Sequence, residues 1–188
     1  MMGHRLDPLL APRSIAFVGA SPRRDTPGND MLRMIAKAGF SGEIFPINPN
    51  YQEIEGRRCW PSISSRPHAV DLAVLSIANA RLEGALGEAI AAKARAAVIF
   101  ASCYLENDSS PPLTERLARL ARDAGMPLCG GNGMGFYNDT AGVWAAGFPS
   151  PGTAGLSLSL DAIAATSLGS TTPLSTSLRM ASSIVCMP

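Results

Sequence analysis

The sequence predicts an α/β fold built on a doubly wound parallel sheet, and three observations predict it. Short runs of β-branched and apolar residues alternate with longer helical patterns along residues 14–129. Glycine, asparagine or serine follows run after run, where a strand must turn into the next element. The apolar fraction of 46% and the charged fraction of 16% suit an ordinary globular core.

Taken in order, Ser14-Ile15-Ala16-Phe17-Val18 reads as a buried parallel strand ended by Gly19. Over residues 29–38, Met31, Leu32, Ile35 and Ala36 share one helical face, and Gly39 stops the helix. Residues 43–47 form a second strand, closed by Asn48-Pro49. A polar loop containing Pro61 and Pro67 leads to a third strand at residues 70–75. Residues 80–94, rich in Ala, Leu and Glu, favour helix by propensity. Residues 96–100 give a fourth strand. Residues 111–124 give a helix with proline in its first turn and Gly125 after its end. Residues 126–129 make a brief fifth strand. Strands alternating with helices imply right-handed βαβ units, so the expected architecture is a Rossmann-like domain over residues 6–153. Residues 154–160 suit one more strand. Residues 165–188 carry no sustained period, so 154–188 is expected to be a truncated start of a following domain or an irregular tail.

Composition excludes several classes of function. The formal net charge of +1 offers no basic field for nucleic acid. No stretch of apolar residues is long enough for a membrane span, and the first residues lack a secretory signal, so the cytoplasm is the expected compartment. Cys59, Cys103, Cys129 and Cys186 show no C-x-x-C spacing, which argues against zinc or a redox pair and for buried thiols. His4 and His68 read as solvated surface residues.

In open parallel sheets, ligands bind beyond the carboxyl ends of the strands, near the reversal of strand order. The first such loop runs Gly19-Ala20-Ser21-Pro22-Arg23-Arg24-Asp25-Thr26-Pro27-Gly28. Gly19 lets backbone approach a ligand, and the following helix offers N–H groups and a positive dipole end to phosphate. Ser21 would add a hydroxyl, and Arg23 or Arg24 a charge-assisted contact. The same residues also read as a plain βα turn with solvated arginines. At the end of strand two, an NAD-binding domain places Asp or Glu for the ribose hydroxyls. Here Asn48-Pro49-Asn50-Tyr51 carries no carboxylate until Glu53, so a ribose bearing a phosphate is not repelled. Asn-Pro-Asn also serves as a simple β-turn. Three more strand ends complete the rim: Ser76-Ile77-Ala78-Asn79, Ala101-Ser102-Cys103-Tyr104, and Gly130-Gly131-Asn132-Gly133-Met134-Gly135. The last is either a close-approach platform for a ligand or a tight connection to a hairpin around Val143-Trp144.

Four segments together resemble the CoA-binding domain of the NDP-forming acyl-CoA synthetases, the superfamily of the succinyl-CoA synthetase α subunit. They are Leu10-Ala11-Pro12-Arg13-Ser14-Ile15-Ala16-Phe17-Val18-Gly19-Ala20-Ser21, Ile44-Phe45-Pro46-Ile47-Asn48-Pro49, Val70-Asp71-Leu72-Ala73-Val74, and the glycine-rich run from Gly130. The resemblance covers roughly residues 6–160. It implies coenzyme A as ligand, with phosphates at the first loop and helix, adenosine at the Asn-Pro turn, and pantetheine between the third and fourth strand ends. Gly19, Ala20, Ser21, Asn48, Pro49, Ile77, Ala78, Ser102, Asn132 and Gly133 would then line the site. Arg24, Gly28 and Asn79 join them from the reading of the loops. The sequence departs from the family where Asn50 replaces a common lysine, Gly131 a proline and Gly133 a cysteine. The family's phosphohistidine domain and ATP-grasp portion have no counterpart among these residues.

The expected function is therefore binding of CoA or acyl-CoA as a module of an acid–thiol ligase, with other ligase domains or subunits as partners and no catalytic residue on this chain. The alternative on the same fold is an NAD(P)-dependent oxidoreductase or redox sensor. A free-standing, CoA-responsive interaction domain is a third expectation.

Overall fold

The computed structural model of the protein describes residues 4–131, 135–138 and 141–146. A short helix α1 (Asp7–Leu10) precedes β1 (Ser14–Val18), α2 (Pro27–Lys37) and β2 (Glu43–Ile47). A two-stranded hairpin, β3 (Glu53–Ile54) and β4 (Arg57–Arg58), and a 3-10 turn (Ile63–Ser65) lead into β5 (Leu72–Leu75). A second 3-10 turn (Asn79–Arg81) opens α3 (Leu82–Ala91), followed by β6 (Ala96–Ile99), α4 (Leu113–Asp123) and β7 (Leu128–Cys129). A closing hairpin pairs β8 (Gly135–Asn138) with β9 (Val143–Ala146).

The main sheet runs β2-β1-β5-β6-β7, and its pairings are parallel. Strand order therefore reverses between β1 and β5. Right-handed crossovers then put α2 on one face and α3 with α4 on the other. The strands' period of two divides their side chains cleanly between these faces. Ile15, Phe17, Leu72, Val74, Ala96 and Val98 pack with Met31, Leu32 and Ile35 of α2. Ala16, Ala73, Leu75, Ala97, Ile99 and Leu128 pack with Leu82 and Leu86 of α3 and Leu113 and Leu117 of α4. Phe136, Val143 and Ala145 bring the closing hairpin onto the α2 face.

Within the described residues the predicted elements form with shifted limits, and α1, the short 3-10 turns and the β3–β4 hairpin are added. The second helix begins at Pro27, where proline's missing N–H costs nothing, so Gly28 lies within its first turn. The third strand starts at Leu72 because the two residues before it are engaged at the amino ends of the strands. The Asp71 carboxylate, 8% exposed, accepts from the Arg13 backbone (2.8 Å) and from Arg95 (2.9 Å), while its own N–H donates to Ser14 Oγ (3.0 Å). The polar stretch expected as a loop contains β3 and β4, a hairpin too short to show a period. The candidate strand at 154–160 and the tail to residue 188 lie outside the described residues.

At the start of α4, Asp108 replaces the missing helix cap. Its carboxylate accepts from the Leu113 backbone (2.6 Å) and from Arg116 (2.9 Å), and Arg116 also reaches Glu83 of α3 (3.0 Å). The Leu113 N–H, then the Arg116 guanidinium, hold the Asp108 carboxyl below the usual carboxylate range. A depressed folded-state value means the stabilisation is complete above about pH 4 and is lost as pH falls through the folded value. Thermal melts should therefore show Asp108→Asn less stable than the parent at pH 7, with the gap closing as the pH drops below about 4. A gap independent of pH would contradict this assignment.

Candidate functional site

The reversal of strand order brings three chain segments into backbone contact. Gly19, directly after β1, adopts φ +92°, and a Cβ there would stand 2.1 Å from the Ser76 carbonyl oxygen after β5. A Cβ on Gly28 would stand 2.2 Å from the Gly19 carbonyl oxygen. The amino end of α2 can therefore seat on the β1 turn only because both positions lack side chains. The Gly19 N–H donates to Ile47 O (3.1 Å) and the Ser76 N–H to Val18 O (2.9 Å), extending the sheet's pairing into the rim.

Within the first loop, the Ser21 hydroxyl oxygen accepts from the Arg23 N–H (3.1 Å) and keeps its own proton available. Thr26 occupies the N-cap position of α2 yet makes no capping bond; its hydroxyl donates to Arg23 O instead (2.7 Å). Helix α2 thus presents its amino end without a side-chain cap, the arrangement that suits an anion. Arg23 and Arg24 are exposed on the same loop.

Asn29, fully buried in that first turn, was missed in the sequence reading. Its Nδ2 donates to Ser21 O (3.0 Å) and to Glu55 Oε1 (3.0 Å), while its Oδ1 receives no hydrogen bond from any described group. An unsatisfied buried acceptor of this kind costs about 1–3 kcal/mol, and a donor on a ligand would relieve it. Position 29 gave no sign of this in the sequence, because the partner that completes it comes from the hairpin.

At the end of β2, the Asn48 side chain donates to Ala20 O (2.8 Å) and accepts from the Asn50 N–H (3.0 Å), tying the Asn-Pro turn to the first loop. Pro49 is exposed beside it. The expectation that no acid approaches this corner needs correction. The hairpin folds back, so Glu55, at φ +50°, reaches the first turn of α2 through Asn29. The same fold-back returns Arg57 and Arg58, which look remote along the chain. Trp60 pairs with Ile47, donates to Pro46 O (2.9 Å) and accepts from the Asn48 N–H (2.9 Å). The Arg58 guanidinium lies 4.0 Å from the centre of the Trp60 ring.

After β5 and β6, Asn79 joins two strand ends. Its Nδ2 donates to Ser102 Oγ (2.9 Å) and Tyr104 O (2.7 Å), and its Oδ1 accepts from the Cys103 N–H (3.0 Å). Ile77 packs toward the α3 face and Ala78 is exposed. Gly131 lies so close to Cys103 that a Cβ would stand 2.2 Å from its Sγ. Asn132 and Gly133 lie outside the described residues. Cys59, Cys103 and Cys129 are buried, and burial pushes the thiols of Cys59 and Cys103 up, away from the reactive thiolate. His4 and His68 are exposed, and His68 pairs with Glu43 of β2 (2.9 Å), an acid distant in sequence. Among the described residues, no group of acids, histidines or cysteines is arranged to hold a metal. No described helix is long and apolar enough to cross a membrane.

Among the described residues, the rim offers backbone, amide and hydroxyl groups and arginines, and pairs no nucleophile with a base. A doubly wound sheet with such turns at its reversal point defines a Rossmann-like α/β domain. More narrowly, the chain belongs to the CoA binding domain family, whose model matches residues 13–139. Acetate–CoA ligase [ADP-forming] II of Archaeoglobus fulgidus is 30% identical over 135 residues, covering 71% of this chain and 20% of that protein. The α subunit of acetate–CoA ligase [ADP-forming] II of Pyrococcus furiosus is 27% identical over 139 residues, 73% of this chain and 30% of the subunit. Among solved structures, the dinucleotide-forming acetyl-coenzyme A synthetase 1 of Ca. Korarchaeum cryptofilum, in complex with phosphate and ADP, superposes with a TM-score of 0.71 at 34% identity. It covers 77% of this chain and 31% of that one. A conserved hypothetical protein of Pyrococcus furiosus superposes with a TM-score of 0.52 at 29% identity, over 62% of this chain and 90% of that one. This chain thus matches about a fifth of the long A. fulgidus ligase and most of the short hypothetical protein.

The backbone contacts make a direct prediction. Gly28→Ala should destabilise the protein by about 1–3 kcal/mol in urea unfolding, the usual penalty for forcing atoms into a packed site. Gly84→Ala, on an exposed helical position with nothing within 4 Å, should instead stabilise by about 0.5–1 kcal/mol. Equal responses at the two sites would mean the α2 seat is not tight.

Proposed function

We propose that this rim seats coenzyme A or acyl-CoA, and that the domain serves as the CoA-binding part of an ADP-forming acid–thiol ligase. The observation that carries the reading is the uncapped amino end of α2, held by backbone contact on the Gly19 turn beside the Asn48 corner. Gly19, Ala20, Ser21, Gly28 and Arg24 would meet the diphosphate. Asn48 and Pro49 would border the adenosine, and Ile77, Ala78, Asn79 and Ser102 the pantetheine. Asn132 and Gly133 are proposed to lie toward the thiol. Coenzyme A would supply that thiol as the acyl acceptor. The orphaned Asn29 Oδ1 and the side-chain-free cradle at Gly19 and Gly28 suit such a ligand, since both call for a molecule that brings donors and phosphate close to backbone. Acyl activation would fall to other domains or subunits, as the relatives' lengths suggest.

One observation favours a second reading. Arg57 and Arg58 return to the end of β2, where an NADP-binding domain places an arginine for its ribose phosphate. Isothermal calorimetry on the full chain separates the two. CoA should bind, while NADPH and NADH should show at least tenfold weaker affinity, about 1.4 kcal/mol. Equal binding of CoA and NADPH would overturn the first reading.

A further inference from the structure

We propose that the β3–β4 hairpin is the specificity element of this site and that Arg58 recognises the phosphate on the adenosine ribose. The proposal rests on the CoA reading above and names the residue that would distinguish CoA from its dephosphorylated form.

Four arginines lie on the first loop and the β3–β4 hairpin, and their surroundings separate them. Arg23 and Arg24 belong to the loop that leads into α2, where the helix amino end already favours negative charge. Arg57 donates to the Glu55 carbonyl within its own turn (3.3 Å). Arg58 has a different setting. Its guanidinium lies on the face of Trp60, 4.0 Å from the ring centre, and it enters no ion pair among the described residues. Glu53 stands opposite Arg58 in the hairpin register, and the two do not form a salt bridge.

Trp60 is itself fixed to the end of β2. Its N–H donates to Pro46 O and its carbonyl accepts from the Asn48 N–H, both at 2.9 Å, and its ring packs against the core that contains Phe45 and Ile47. The cation is therefore carried on a plane attached to the Asn48 corner, where the Asn-Pro turn offers no charge of either sign. A guanidinium stacked on indole has already lost much of its rotational freedom, and its remaining N–H groups form a fork suited to phosphate oxygens. The hairpin is braced at both ends. Glu55 accepts from the buried Asn29 amide (3.0 Å), and the Cys59 N–H donates to Gln52 O (2.7 Å). Glu55 therefore acts as a positioning residue: its carboxylate is held by Asn29, and it keeps the hairpin against the first loop.

The test is calorimetric titration of the full chain with CoA and with 3′-dephospho-CoA, for the parent, Arg58→Gln and Arg58→Lys. The parent should prefer CoA by about tenfold or more, the scale of one charge-assisted phosphate contact. Arg58→Gln, which keeps most of the stem over Trp60 and drops the charge, should bring the two ligands within about threefold. Arg58→Lys should retain an intermediate preference, since it keeps the charge and loses the planar fork. Circular dichroism melts check that each variant is folded, and Arg58→Ala serves as a second uncharged variant. An unchanged CoA preference in Arg58→Gln overturns the proposal, as does an equal loss for both ligands. A parent that binds both ligands equally overturns it while leaving the CoA seat standing. A parent that binds neither overturns the seat as well.

Discussion

Gly28 in the first turn of α2 meets the carbonyl of Gly19, and Gly19 meets the carbonyl of Ser76. That three-way backbone contact sits where strand order reverses, and the rest of the rim is built out from it. Neither glycine tolerates a Cβ without moving main chain, so the distance from helix to sheet is set by backbone rather than by side-chain packing. Once α2 is seated, its amino end lies against the turn that follows β1. Thr26 then leaves the helix uncapped. Asn29 spends both protons of its amide on the loop and the hairpin, and its oxygen receives no hydrogen bond from any described group.

The opposite end of the sheet does a complementary job. Asp71 gathers Arg13, Arg95 and Ser14 at the amino ends of β1, β5 and β6, so the polar ties there are structural. A basic cleft near that edge, lined by Arg5, Lys93, Arg95 and Met126, contains none of the residues expected to bind ligand. Anchoring thus sits at the end of the sheet opposite the rim proposed to bind ligand, the division expected of open parallel sheets.

How much of this was legible in the sequence follows from where each signal lives. The five sheet strands are visible because each is a largely apolar, mostly buried run bounded by a turn residue, from Ser14–Val18 to Leu128–Cys129. Gly19 and Asn48 stood out because their positions after strands demand special backbone or turn chemistry. The contacts between Gly28 and Gly19 and between Asn48 and Ala20 have no linear signature. The β3–β4 hairpin escaped notice because two residues per strand are too few to alternate. With it went Glu55 and Trp60, while Arg57 and Arg58 look too remote along the chain to reach this corner. Along the chain Glu53, Arg57 and Arg58 lie past the end of the second strand, whereas the hairpin returns later residues to the same corner. Asn29 was hidden for the same reason, since its partner Glu55 lies 26 residues away.

Amide chemical-shift mapping of the labelled chain, titrated with CoA, tests the central claim most directly. The account predicts that the largest changes fall at Gly19, Ser21, Gly28, Asn29, Asn48, Ile77 and Asn79, the groups gathered at the strand-order reversal and its flanking corners. Changes centred on Arg5, Lys93, Arg95 and Met126 at the other end of the sheet, or no saturable changes at all, would contradict it.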